Sequence, residues 1–407
     1  MAPTTIRLGL DAMRAVCDVL GQPQTQVPTV LVAGTNGKGS TATMLGSIGR
    51  AAGLRTGLYL SPALGDAEEQ IQLNGQGLDP STHLELTAEV ERAASSAGQP
   101  LTEFETATAA AFLAFSRAEL DLAIVEVGLG GARDATNIAE PVVSVLTTVD
   151  LDHQQYLGQT LAAIAKEKAG VFRHRRSAVL GFLRRPALRA ARQEAEAIGA
   201  RCIAARSHIE DLDDRDGQLR VQTRRAEYGV RLGLAGEHQG RNAALAILAA
   251  EALRPRFPSL DTDAICRGLA NARCPGRLES LVRGGHHFLL DAAHNPAAAA
   301  VLAHHLSVEN LRPDLLFGAF RDKDAEGMLE LLRPRVGRLI LTPIEHPRTW
   351  TPADYAANFG GELVTTPAGG LSEVRLKVPL LISGSMRLVG DVRRQLLGPA
   401  IRHAATG

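Results

Sequence analysis

From residue 28 onward, short continuous apolar runs alternate with helical stretches. Residues 27–34 (VPTVLVAG) predict a buried strand that runs into a glycine-rich loop and then a helix through Ala52. Residues 55–60 predict a second strand, and residues 121–127 and 141–149 two more. These runs of Val, Ile and Leu are unbroken rather than alternating, the pattern of strands buried on both faces. Strand–helix alternation of this kind builds a parallel sheet covered on both sides. Residues 217–234 do alternate, and predict a β-hairpin leaving that sheet. Helices over 240–253 and near 261–270 close the first unit.

Cys274-Pro275-Gly276 is a turn signal without periodicity. After it a second alternation begins: a strand in HHFLLDAA, a helix from Pro296, strands in DLLFGAF, RLILTPI, ELVTT and PLLISG, and helices near 324–333 and 352–358. A chain of 407 residues exceeds what one core usually supports. Two domains are therefore expected, residues 1–273 and residues 274–407, both α/β. Ligands of such sheets bind beyond the carboxyl ends of the strands.

Composition narrows the function. The chain is 45% hydrophobic and 22% charged, an ordinary globular balance. Lys+Arg and Asp+Glu both number 44, without the basic excess of a nucleic-acid binder. No apolar run reaches the ~18–20 residues that cross a bilayer. The opening MAPTTIRLGLDAMR lacks the basic start and apolar core of a signal peptide. Cys17, Cys202, Cys266 and Cys274 are scattered without CxxC spacing, as reduced thiols in a cytoplasmic protein would be. Only five residues are Lys (Lys38, Lys166, Lys168, Lys323 and Lys377), the rest of the basic complement being Arg. A retained Lys marks chemistry that Arg cannot do, such as modification of a deprotonated amine.

The strongest local signal is Gly34-Thr35-Asn36-Gly37-Lys38-Gly39-Ser40-Thr41, between a buried strand and a helix. Glycines let backbone N–H groups converge on phosphate oxygens, and a helix N-terminus adds positive partial charge. Lys38 can neutralise β/γ-phosphates, and Ser40 or Thr41 can offer a hydroxyl to Mg²⁺. The Gly between Lys and Ser departs from the usual P-loop spacing. Glu126 ends an apolar strand, where an unpaired carboxylate is costly to bury. Asp150-Leu151-Asp152-His153 follows the next strand in the same way. A carboxylate and an imidazole so placed suit Mg²⁺ or Mn²⁺ better than a structural zinc. Lys168 falls near the end of a short helix, where simple capping by a cation is the bland account. Arg277 and the run Asp291-Ala292-Ala293-His294-Asn295 mark the second domain.

Together the motifs resemble the folylpolyglutamate synthase/dihydrofolate synthase family, a branch of the Mur ligase superfamily. The resemblance is carried by AGTNGKGS (33–40), Ser61-Pro62, FExxT around Phe104-Glu105, EVGLGG…DATN (126–137), LDH…LGxTxxxIAxEKAG (151–170), GxHQxxNA (236–243), PGRLE (275–279), DAAHNP (291–296), DKD (322–324) and SGSxxLVGDVR (383–393), in family order. It implies an N-terminal P-loop ATPase domain with a central, mostly parallel sheet and a smaller C-terminal Rossmann-like α/β domain that handles glutamate. It implies that Asn36, Gly37, Lys38, Gly39 and Ser40 hold ATP phosphates, with Asn242, Arg277 and Asp291 also on the nucleotide. Ser61, Glu126 and His153 would bind Mg²⁺, two ions being expected, and Lys168 would be carbamylated. His294 would handle the incoming L-glutamate, and the region around Phe104 would face the pterin. The activity implied is ATP-dependent, ADP-forming ligation of glutamate to dihydropteroate or to reduced folates through an acyl phosphate, by a monomer with no nucleic-acid or membrane partner.

The chain departs from the family pattern beside the acceptor. SPHL is Ser61-Pro62-Ala63-Leu64, ERI is Glu69-Gln70-Ile71, GGRxDATN is Gly131-Ala132-Arg133-Asp134 onward, and DGAHN is Asp291-Ala292-Ala293-His294-Asn295. Two rival readings follow: a paralogue coupling an amino acid to a different carboxylate, and a catalytically silent nucleotide-binding regulator.

Overall fold

The computed structural model describes residues 7–62, 64–65, 67–215, 217–346, 349–375 and 378–398. The chain forms two compact units. The first comprises Met1–Pro62, Ala67–Gly233 and His238–Arg273, and the second Ala63–Asp66, Leu234–Glu237 and Cys274–Gly407.

The first unit is built on strands β1 (Thr29–Ala33), β2 (Thr56–Tyr59), β3 (Ile71–Leu73), β4 (Gln76–Gly77), β5 (Leu122–Glu126), β6 (Pro141–Leu146), β7 (Ser177–Leu180) and β8 (Arg201–Ala204). They lie in the order β4-β3-β2-β5-β1-β6-β7-β8. The six strands from β2 to β8 in that order are parallel, and β3 and β4 extend one edge antiparallel. Every residue of β1, β2, β5 and β7 is buried, which explains the unbroken apolar runs. Helix Lys38–Ala51 is buried along almost its whole length because helices His238–Leu253 and Thr262–Asn271 pack against it. Its close neighbour depends on Gly268, where a Cβ would stand 2.4 Å from Ile48 Cα.

Two sequence expectations need amendment. The strand expected over 141–149 stops at Leu146, because Thr147 and Thr148 turn their hydroxyls to the phosphate loop instead of continuing the ladder. The hairpin expected over 217–234 is β10 (Gln218–Thr223) and β11 (Glu227–Arg231), but a third strand, β9 (Ile209–Arg215), completes the sheet in the order β11-β10-β9. The IEDLDDR sequence of β9 is too acidic to read as a strand, and it forms because β10 supplies its ladder.

The second unit contains β12 (Glu279–Arg283), β13 (His286–Leu290), β14 (Asp314–Phe317), β15 (Leu339–Leu341), β16 (Glu362–Leu363) and β17 (Leu380–Ser383), in the order β12-β13-β17-β14-β15-β16. All but β12 are parallel. β12 was not anticipated; it pairs with β13 across Gly284-Gly285, both at positive φ as a tight hairpin requires. Leu302, Phe317, Met328 and Leu381 fill one face of the sheet, and Phe288, Ile382, Leu388 and Val392 the other. In this unit Gly390 is indispensable to the path of residues 64–65: a Cβ there would lie 1.4 Å from Leu64 O. Lys377 and Ala63 lie outside the described residues.

Candidate active site

Four adjacent parallel strands, β2, β5, β1 and β6, deliver their carboxyl ends to one edge of the first sheet. Ser61 follows β2, Glu126 ends β5, the phosphate loop follows β1, and His153 follows β6. Register makes this specific: Val32 pairs with Glu126, and Ala33 with Leu146.

The loop is held from below by β6's extension. Thr147 Oγ1 donates to Asn36 O (2.7 Å), Thr148 Oγ1 donates to the same oxygen (3.1 Å), and the Asn36 N–H donates to Thr148 Oγ1 (2.9 Å). Gly34 passes so close that a Cβ would stand 1.9 Å from Thr147 Oγ1. Gly37 caps the helix at φ 82°, and a Cβ there would lie 2.4 Å from Asn242 Oδ1. Lys38 bends back over the loop, Nζ donating to Thr35 O (3.3 Å) and standing 3.9 Å from Glu126 Oε1. Glu126, only 7% exposed, accepts the Ser61 N–H at 3.3 Å, and a Cβ on Gly39 would come 3.3 Å from its Oε2. Lys38, Gly39, Ser61 and Glu126 are thus one group.

Lys168 joins it from helix Leu161–Ala169. Its Nζ donates to Gly34 O at 2.8 Å, so the side chain serves the loop and not the end of its own helix. Burial, reinforced by the Lys38 charge, pulls the amine down from 10.5 to about 7, against opposing pulls from Asp152, Asp134 and Glu167. His153 stands at left-handed φ 50°; its N–H donates to Asp152 Oδ1 (2.9 Å), and its Nε2 is 3.8 Å from that oxygen. Asp152 in turn is the opposite charge that most favours the protonated Lys168 amine. The loop between Glu126 and Asp134 is anchored by Asp134, which accepts Leu129 N (2.7 Å) and Thr136 N (3.0 Å). Burial raises the Asp134 carboxyl, with those bonds opposing. The ring of Phe104 lies over Gly128, where a Cβ would meet Cζ at 2.5 Å.

Sequence reasoning passed over Gln239, a fully buried amide. Its Nε2 donates to Ser40 Oγ (3.4 Å) and its Oε1 accepts Asn242 Nδ2 (2.9 Å). The signal was its place three residues before Asn242, one helical turn, inside GxHQxxNA. Thr147 and Thr148 were missed for a simpler reason: their roles depend on a loop far away in sequence. Glu105 is a structural residue of the helix start, closing a capping box with Thr102 and accepting Arg7 Nε (3.1 Å) and Nη2 (2.6 Å).

In the second unit, Arg277, Asp291 and His294 gather around Ala292. Arg277 Nη1 and His294 Nδ1 both bond Ala292 O, at 3.5 and 3.0 Å. The carbonyl can only accept, so Nδ1 carries the proton in this contact. Asp291 accepts Leu278 N (3.0 Å) and Ala293 N (3.1 Å); burial raises its carboxyl, while Arg277 opposes the rise. Asn295 caps helix Pro296–Val308. Glu279 receives Arg393 Nε on both oxygens at 3.0 Å, tying PGRLE to SGSxxLVGDVR.

Among the departures, Gln70 keeps a backbone role, its carbonyl accepting Leu60 N (2.9 Å). Ala132 packs its Cβ 2.3 Å from the position a Gly170 Cβ would take. Arg133 turns to Glu167 at 3.4 Å.

A parallel sheet bearing such a loop, a buried strand-end carboxylate and a buried lysine defines an ATP-dependent ligase core, and residues 32–250 match the Mur ligase middle domain. The chain is 34% identical to the dihydrofolate synthase/folylpolyglutamate synthase of Escherichia coli, over 95% of this chain and 91% of that protein. It is 36% identical to a probable bifunctional folylpolyglutamate synthase/dihydropteroate synthase of Haloferax volcanii, over 95% of this chain but 48% of that longer protein. The structure of E. coli FolC in complex with DHPP and ADP superposes with a TM-score of 0.86 at 32% identity, covering 97% of this chain and 94% of that one. A bifunctional folylpolyglutamate synthase/dihydrofolate synthase with Mn, AMPPNP and L-glutamate bound gives 0.84 at 30%, covering 97% and 95%. The chain belongs to the folylpolyglutamate synthase/dihydrofolate synthase family of Mur ligases.

Proposed function

We infer that this chain is an ADP-forming carbon–nitrogen ligase that joins L-glutamate to dihydropteroate and to folylpolyglutamates. The observation that carries the reading is the Lys38–Glu126–Ser61 group against the phosphate loop. The loop amides and Lys38 hold the ATP phosphates, and Asn36, Gly37, Gly39 and Ser40 shape the cradle. The γ-phosphoryl group passes to the acceptor carboxylate, and the glutamate amine displaces phosphate from the acyl phosphate to give the amide. Asn242, Arg277 and Asp291 serve the nucleotide, and His294 positions glutamate. Phe104, packed over Gly128, borders the pterin.

The donor set fits a divalent cation. A carboxylate, a hydroxyl and an imidazole are oxygen-rich donors with one nitrogen, the chemistry that suits Mg²⁺ or Mn²⁺. Glu126, Ser61 and His153 would hold one ion, and Ser40 a second carried by the nucleotide. Bound there, such ions neutralise developing phosphoryl charge. Lys168, its amine pulled down to about 7 and so partly neutral near that pH, adds to CO2; a C–N bond forms, one proton leaves, and the amine becomes a carboxylate-like group beside the loop. The described residues include no helix long and apolar enough to cross a membrane. A monomer in the cytoplasm completes the proposal.

Glutamate-dependent ADP release, measured with dihydropteroate and separately with tetrahydrofolate, tests it. Turnover with both is expected. No turnover with either would sink the folate reading; ADP release with another acid would favour the paralogue, and none with any acid the silent regulator.

A further inference from the structure

Gln239 lies on helix His238–Leu253, fully buried, between two residues that face the phosphate loop from different elements. Ser40 sits in the first turn of helix Lys38–Ala51, and Asn242 presses its Oδ1 into the space that a side chain on Gly37 would fill. One buried amide touches both. Its N–H group donates to Ser40 Oγ at 3.4 Å, and its oxygen accepts Asn242 Nδ2 at 2.9 Å. Because amide oxygen and nitrogen are chemically distinct, the pairing has a direction. With Nδ2 committed to Gln239, Asn242 must turn Oδ1 to the loop. With one Oγ lone pair committed, Ser40 keeps its other lone pair and its proton for whatever the loop binds. Ser40 and Asn242 are themselves 3% and 6% exposed, so water offers no ready substitute partner.

We propose that Gln239 is a positioning residue of the phosphate loop, setting the Ser40 hydroxyl and the Asn242 amide together for the nucleotide and its cation. The inference rests on the nucleotide-binding reading of the loop. Its hydrogen bonds go to Ser40 and Asn242, so its effect is expected at the nucleotide.

Two variants separate the arms. Gln239→Glu keeps an acceptor for Asn242 but removes the donor to Ser40, which would instead give its proton to the new carboxylate. Gln239→Met keeps the volume and removes both bonds. Calorimetric titration with ADP, with and without Mg²⁺, is the direct readout. In Gln239→Glu the gain in ADP affinity on adding Mg²⁺ should shrink about tenfold, the scale of one hydrogen bond, with metal-free affinity near wild type. In Gln239→Met affinity should fall about tenfold with or without metal. KM for ATP should rise in both, while KM for glutamate stays unchanged. Wild-type ADP affinity in both variants, or an equal loss for ATP and glutamate, overturns the inference. If Gln239→Met fails to fold, the Gln239→Glu titration decides alone. A wild-type chain that binds no ADP removes the nucleotide reading itself, a result distinct from an unaffected variant.

Discussion

Lys168 Nζ donates to the carbonyl oxygen of Gly34 at 2.8 Å, fastening a helix to the first glycine of the phosphate loop. Arg could reach a carbonyl as well, but it is never neutral, and so cannot add to CO2. Lys168→Arg is expected to bind ADP within a few-fold of wild type and to lose turnover by about a hundredfold or more. Calorimetry and an ADP-release assay check the two halves. Retained turnover excludes the carbamate role.

The same amine makes stability depend on pH. It releases its proton at about 7 in the fold and at 10.5 in the unfolded chain. Between those values the unfolded state binds more protons, so stability rises with pH from about 7 to 10.5. Urea denaturation in CO2-free buffer at pH 7 and pH 9 should show that rise in wild type, and a flatter one in Lys168→Met. Equal slopes would show that the amine is not depressed.

Much of this site was legible because the chemistry-bearing residues follow strands whose order the alternation pattern implies. Glu126 reads as unusual from its neighbours alone, an acid closing an apolar run. What stayed hidden depends on contacts between distant segments. Nothing local to Thr147 and Thr148 says that they brace Asn36, and nothing local to Lys168 distinguishes a helix-capping cation from an amine buried against Gly34. Gln239 was invisible for a related reason: a neutral amide signals chemistry only once its two partners are known. In the fold, β9 was unreadable because its acidic sequence takes strand form only through pairing with β10.

Glu126→Gln keeps the size of the side chain and an acceptor for the Ser61 N–H, but removes the charge beside Lys38. Manganese binding, followed by electron paramagnetic resonance of free Mn²⁺, should weaken by roughly a hundredfold, ~2.7 kcal/mol. Metal-free ADP affinity should be preserved. Unchanged Mn²⁺ affinity would remove Glu126 from the proposed ligand set.

Gly37→Ala meets two obstacles at once. The backbone sits at φ 82°, a region costing an L-residue roughly 1–2 kcal/mol, and the new Cβ would stand 2.4 Å from Asn242 Oδ1. Asn242 must therefore withdraw, which also frees Gln239. Denaturation should show that loss of stability, and ADP titration a weaker complex. A variant destabilised without losing ADP affinity would dissociate Asn242 from the nucleotide.

Arg393 and Glu279 form the main tie between two motifs of the second unit, with Nε 3.0 Å from each carboxylate oxygen and both side chains 18% exposed. Glu279 also accepts Gly276 N at 2.8 Å, so it holds the turn that presents Arg277. Arg393→Leu leaves a mostly buried carboxylate with a single amide donor, and should cost about 2 kcal/mol, less than a fully buried pair because some solvent reaches it. Glu279→Leu strands the guanidinium and frees the Gly276 amide, and should cost at least as much. The double variant should lose less than the sum, with a coupling of about 1 kcal/mol in a denaturation cycle. If the pair fixes the Arg277 turn, both single variants should also raise KM for ATP. Additive losses with an unchanged KM would reduce the tie to a packing contact.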